Sequence, residues 1–164
     1  MNNFRKQLLF SASLLFCSLA VVAQVHPGQK AYEIALPAMN GDTVKLSSLK
    51  GKVVLVDFWA SWCGPCRLSN RQLVKFYPKY KDKGFEILGV SLDQNRKEWQ
   101  KAIAQDKISW PQVNDDGGWE AKTGIQWDIS QIPTSYLVNK EGRVVGRDLE
   151  GKDLEKAVKE LLGL

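Results

Sequence analysis

The sequence predicts an α/β protein, a single sheet covered on both faces. Three observations lead there. Val53-Val54-Leu55-Val56-Asp57-Phe58-Trp59 and Phe85 to Leu92 are almost continuous apolar runs, rich in β-branched and aromatic residues, as strands buried on both faces require. Between them lies a segment of helical length with a partial apolar stripe. The chain closes with a strand pair and then Lys152 to Leu162, where Leu154, Ala157, Val158, Leu161 and Leu162 recur at helical spacing. Strands interleaved with helices, ending in a hairpin and a helix, make a layered α/β domain. The 164 residues suit one domain with a short appendage, and 44% hydrophobic with 25% charged residues is ordinary globular composition.

The elements follow in order. Met1 to Gln7 carries Arg5 and Lys6 and no acid, Leu8 to Val22 is apolar, and Val21-Val22-Ala23 offers a small-residue exit. This pattern predicts a secretory signal peptide over residues 1–23, leaving residues 24–164 as the folded domain. The alternative is a retained membrane tether, against which stand the length of Leu8 to Ala23 and its three serines. Cys17 follows Phe16 rather than the small residue that lipid attachment needs, and it leaves with the signal. Without Arg5 and Lys6 the net charge of +5 falls to +3, with no basic block, which argues against nucleic-acid binding.

In the remaining chain, Tyr32 to Leu36 and Thr43 to Leu46 read as short strands joined by an Asn40-Gly41 turn. Gly51-Lys52 breaks the chain before the first buried strand. A helix is expected from Cys63 to about Tyr80, with Pro65 in its first turn and Gly84 after its end. Asn95 followed by Glu98 caps a second helix to about Gln105, with Trp99 and Ile103 inward. Ile108 to Val113 is expected to be extended, Asp115-Asp116-Gly117-Gly118 a loop, and Trp119 to Trp127 a short helix. Ser135 to Asn139 and Val144 to Asp148 form the strand pair across Lys140-Glu141-Gly142.

Chemistry concentrates in Trp62-Cys63-Gly64-Pro65-Cys66, where a buried strand hands over to a helix. A thiolate there meets unpaired backbone N–H groups and the positive end of the helix dipole. Cys63 is the expected exposed nucleophile. Cys66, one turn further, is the more buried thiol that resolves a mixed disulfide. A bridge across two residues closes almost no loop and stabilises little, so the pair requires a redox explanation. Two thiolates are half a zinc shell, and the single histidine, His26, lies far away near the start of the mature chain. A non-catalytic copper(I) module is the rival use of two soft ligands. No metal and no cofactor is expected.

Asp57 interrupts an apolar strand six residues before Cys63. Buried, its carboxyl titrates high and can take the Cys66 proton; at the strand's solvated end it would do neither. Pro133 opens the strand after Ile132, where a proline removes a ladder hydrogen bond. Local physics alone favours a trans bond there. Trp62 is the tryptophan expected at a substrate surface, while most of the six fill the core or rim.

Val56 to Cys66 resembles the active-site segment of thioredoxins, and Ile132-Pro133-Thr134 resembles their cis-proline loop. With the signal peptide, the hairpin and the insert from Leu92 to Gly118, the whole of Gln24 to Leu164 is similar to the TlpA/ResA-type branch of exported thioredoxin-like proteins. The resemblance implies a thioredoxin fold: a central mixed sheet flanked by helices on both faces, with an N-terminal hairpin extension and a mid-domain insert. It also implies attack by Cys63, resolution by Cys66, a cis Pro133, and a substrate surface of Trp62, Gly64, Pro65, Ile132 and Pro133. Partners implied are protein disulfides or dithiols of the cell envelope and a membrane thiol donor, in the periplasm.

Departures stand at Ser69, where the branch often has glutamate, at Arg71, where thioredoxins carry proline, and at Ala31-Tyr32, where Ala-Pro is usual. Ser69 weakens a link to cytochrome c maturation. Asp57 follows the thioredoxin pattern. Peroxiredoxins share the fold, but Val56 and Ala60 stand where their proline and threonine belong. Gly64-Pro65 resembles the thioredoxin dipeptide, whose potential of about −270 mV favours a reductant; an oxidase or isomerase is the alternative.

Overall fold

The computed structural model describes residues 25–164; the expected signal peptide and Cys17 lie outside the described residues. Strands β1 (Ala35–Pro37) and β2 (Thr43–Lys45) form an antiparallel hairpin. The main sheet contains β3 (Val53–Trp59), β4 (Phe85–Ser91), β5 (Gln112–Asn114), β6 (Thr134–Val138) and β7 (Val144–Arg147). Its order is β5-β4-β3-β6-β7, parallel on the β5-β4-β3 side and antiparallel across β3-β6-β7. The helices are α1 (Gly64–Phe76), α2 (Arg96–Asp106), α3 (Lys122–Gln126) and α4 (Gly151–Leu162).

Pleating assigns the two faces. On one, Val53, Leu55, Phe85, Ile87 and Leu137 meet Leu73 of α1, Tyr77 just after that helix, and Leu154 and Val158 of α4. Farther along that face Trp59 packs with Trp99, Ala102 and Ile103 of α2. On the other, Val54, Val56, Phe58, Leu88, Val90 and Tyr136 are covered by Ile34, Leu46, Ala121 and Trp127, from the hairpin region and the α3 region. The expected two-faced sheet is thus present, and β3 is buried along its whole length.

Several boundaries differ from expectation. The first strand is Ala35–Pro37 rather than Tyr32 to Leu36, because its only partner is the short β2. Helix α1 stops at Phe76: Pro78 cannot donate to the helical ladder, and Tyr77–Lys79 continues as a 3-10 turn. The Trp119 to Trp127 segment divides into a 3-10 turn, Gly118–Glu120, and α3. Extended structure near Ile108 is confined to β5. The Asn95 cap is realised, its side chain accepting the N–H groups of Lys97 (3.1 Å) and Glu98 (3.4 Å). Among the described residues no helix is long and apolar enough to cross a membrane.

Candidate active site

Antiparallel pairing of β3 with β6 aligns Phe58 with Thr134, so the end of β3 and the start of β6 share one edge of the sheet. The cysteine segment leaves β3 there, and Ile132-Pro133 enters β6 there. Two stretches far apart in sequence are brought to one rim. The Ile132–Pro133 peptide bond is cis.

Cys63 and Cys66 are joined by a disulfide, with S–S 2.03 Å and Cα–Cα 5.2 Å. Cys63 is the N-cap of α1, and its Sγ accepts the N–H of Cys66 at 3.1 Å. Pro65 sits in the first turn, where its missing N–H removes no helical bond. Cys63 is less exposed than the sequence suggests: 6%, against 1% for Cys66. Both cysteines belong to one buried cluster with Trp59, Ala60 and Trp99, Ala102 and Ile103 of α2, and Ile132 packs against it. The ranking of the two thiols holds, while the expected open exposure of Cys63 does not in this disulfide form. Gly64 and Pro65 are exposed, Ile132 and Pro133 half-buried, and Trp62 is 57% exposed.

Asp57 is 3% exposed, so the buried alternative is the correct one. Its place in the pleat puts it on the α1 side of the sheet, between Leu55 and Trp59. There it lines a cavity of about 470 Å³ with Ser69 and Gln72 of α1, Pro133, Ser135 and Asp148. Loss of solvent pushes its carboxyl up to about 7, and the negative charge of Asp148 adds to the rise. Asp148 is held near by accepting the N–H of Ser135, the residue paired with Asp57 across the sheet (2.8 Å).

A polar clasp that sequence reasoning missed surrounds the cysteines. Buried Asp93 accepts the N–H of Ser61 (2.9 Å), the Ser61 hydroxyl (2.6 Å) and the Ser91 hydroxyl (2.8 Å). Asn114 donates to the Asp93 carbonyl at 2.8 Å. From the other side Arg67 donates to the Ser61 carbonyl (3.3 Å) and forms a two-pronged ion pair with Asp106, through Nε and, at 2.8 Å, Nη2. One pin therefore precedes Cys63 and another follows Cys66. The only sequence signal for Asp93 was a polar residue after a buried strand, and nothing signalled Arg67 or Asp106. Asn70, on α1 beyond Cys66, is also buried, with its amide nitrogen lacking a hydrogen bond among the described residues. His26 is exposed, and no group of three or more potential metal ligands occurs among the described residues.

A mixed sheet with a disulfide at a helix N-cap and a cis proline opposite it defines a redox protein of thioredoxin fold. Residues 26–162 match the Redoxin family, and the chain belongs to it. It is 30% identical to the thiol-disulfide oxidoreductase ResA of Bacillus thuringiensis subsp. konkukian over 135 residues, covering 82% of this chain and 76% of the relative. With ResA of Bacillus subtilis it shares 31% over 121 residues, 74% of this chain and 66% of that one. Among solved structures, the thioredoxin domain of a thiol-disulfide oxidoreductase from Bacteroides vulgatus superposes with a TM-score of 0.79 at 37% identity, covering 85% of this chain and 99% of that one. A thiol-disulfide oxidoreductase from Bacteroides fragilis gives 0.76 at 36%, covering 81% and 99%. The protein is a thiol–disulfide oxidoreductase of the ResA/TlpA type.

Proposed function

We propose that the protein is an exported reductant of protein disulfides, working through Cys63 and Cys66. The observation that carries this reading is the Cys63 sulfur at the α1 N-cap with the Cys66 N–H directed at it, a donor that favours a thiolate there. In the reduced protein the Cys63 thiolate attacks one sulfur of a client disulfide. A mixed disulfide forms, and the first client sulfur departs as a thiolate that picks up a proton. Cys66 then passes its proton to the Asp57 carboxylate and attacks the Cys63 sulfur. The Cys63–Cys66 disulfide forms and the second client thiolate leaves, so two electrons move from the protein to the client. A carboxyl that titrates near 7 exchanges protons readily at neutral pH.

Trp62, Gly64, Pro65, Ile132 and Pro133 form the surface on which the client chain lies: the first three flank Cys63 in the chain, and Ile132 packs against the cysteine cluster just before Pro133. Residues 1–23 act as the signal peptide, which places the domain in the periplasm and makes a membrane thiol donor the source of electrons. Gly64-Pro65 between the cysteines favours the reducing direction.

The test is a pair of single variants expressed in the cell envelope. Cys66→Ser should accumulate mixed disulfides with envelope proteins, and Cys63→Ser should accumulate none. Equal trapping by both, or by neither, would overturn the assignment of attacker and resolver. An equilibrium potential against glutathione at or below about −250 mV fits a reductant, and one of about −180 to −120 mV contradicts it.

A further inference from the structure

Four tryptophans, Trp59, Trp99, Trp110 and Trp127, are buried, but Trp62 and Trp119 are 57% and 53% exposed. Their rings lie 6.0 Å apart, inclined at 56°. Two indoles left in water forgo the burial that would stabilise them, so their pairing at the surface calls for a reason.

The backbone that presents Trp119 is built for the purpose. A Cβ on Gly117 would lie 2.7 Å from the Ala121 Cα and 2.9 Å from its N. Gly118 has a φ of +60°, with the Gln94 side chain 3.3 Å from where its Cβ would be. The loop closes tightly on Ala121 and delivers Trp119 to Trp62. It is tied down by the Asp115 N–H bonding to the Ser91 carbonyl (2.9 Å) and by the Asp115 carboxylate accepting the Thr123 N–H (3.0 Å). The pair is therefore preformed rather than assembled on binding.

Trp62 and Trp119 line a cleft of about 580 Å³ with Gln94, Gly117, Gly118 and Glu120. Glu120 is exposed, is the one charged residue of that lining, and makes no ion pair among the described residues. Two π-faces and a free carboxylate, with no cation among the residues lining this cleft, are complementary to a positively charged side chain. We propose that this cleft is a substrate subsite for an arginine or lysine near the client's reactive cysteine. The proposal rests on protein disulfides being the substrates. Trp62 directly precedes Cys63, and a client residue two positions from its cysteine lies ~7 Å along an extended chain, within reach of the indole pair.

The experiment measures single-turnover rates of the reduced protein with three disulfide-bridged peptides. They differ only at the residue two positions from the cysteine, which is arginine, leucine or glutamate. Hydroxyethyl disulfide serves as a reference substrate with no chain to dock. The arginine peptide should react about fivefold faster than the leucine peptide, and the glutamate peptide slowest. Trp119→Ala should lower the arginine rate about fivefold relative to the reference, and Glu120→Gln should narrow the arginine-to-glutamate ratio. A faster leucine peptide, or an arginine preference that survives Trp119→Ala, would overturn the subsite. Reaction with hydroxyethyl disulfide but with none of the peptides would overturn the protein-disulfide reading itself, and the subsite with it.

Discussion

Ser61 gives both its N–H and its hydroxyl to the carboxylate of Asp93, at 2.9 and 2.6 Å, two residues before Cys63. A buried carboxylate with a full set of donors is expensive to create and contributes little net stability, so its worth lies in fixing one geometry. Asp93→Ala leaves the Ser61 and Ser91 hydroxyls and the Ser61 N–H without their acceptor. The expected loss is about 3 kcal/mol in urea unfolding. Ser61→Ala removes only one bond and should cost about 1 kcal/mol. If Asp93→Ala costs no more than Ser61→Ala, the clasp does not hold the loop.

Arg67 and Asp106 make the second pin. The Asp106 side chain is almost fully buried, and Arg67→Ala strands its charge. A loss of about 3 kcal/mol is expected, together with slower mixed-disulfide formation, because the Ser61 carbonyl also loses its donor. Replacing both partners, as Arg67→Met with Asp106→Leu, should recover most of the stability without the rate. Thermal unfolding and stopped-flow mixing of the two variants separate the effects.

Asp57 gives the protein an unusual pH dependence. Its folded value of about 7 lies above the ordinary 3.8, so between those values the folded chain holds a proton that the unfolded chain has released. The contribution to stability is then greatest below about pH 4, falls as pH rises from about 4 to 7, and is flat above 7. Asp57→Asn should abolish that slope and be more stable than the parent at alkaline pH, by up to ~4 kcal/mol. The same variant should slow resolution by Cys66 about a hundredfold at neutral pH. Unfolding curves across this pH range, with and without the substitution, decide the first point; stopped-flow resolution of a preformed mixed disulfide decides the second.

Gly89 pairs with Asp57 across β3 and β4, and a Cβ there would come within 2.1 to 2.5 Å of the Gln112 amide group. Gln112 accepts the indole N–H of Trp59 at 2.9 Å. Gly89→Ala should displace Gln112 and leave that buried donor unpaired, at about 2 kcal/mol. A changed near-ultraviolet dichroism of Trp59 should accompany the loss.

What could be read from the sequence was whatever local chemistry dictates. The run Val53 to Trp59 is a strand end to end, because seven residues of one character leave no boundary to misjudge. The Asn95 and Glu98 pair placed the start of α2 correctly, because a cap is a contact between near neighbours. The Cys63–Cys66 pair, Asp57 and Pro133 were legible because each breaks the character of its surroundings. Arg67, Asp93, Asp106 and Trp119 were not. Each is an ordinary residue in its own segment and gains meaning only from a partner that the fold brings from elsewhere. The burial of Cys63 was hidden for the same reason: α2 and Ile132, which share its cluster, come from distant segments.

Because β3 and β6 run in opposite directions, the cysteine loop and the Pro133 loop are anchored by neighbouring strands of one sheet. The loop from Asp115 to Ala121 supplies none of the residues that pin the cysteine loop, Asp93, Arg67 and Asp106. It carries Trp119 and Glu120, while Cys63, Cys66 and Asp57 lie outside it. Grafting the loop from Asp115 to Ala121 from one relative onto another should therefore transfer client preference while leaving the host's redox potential in place.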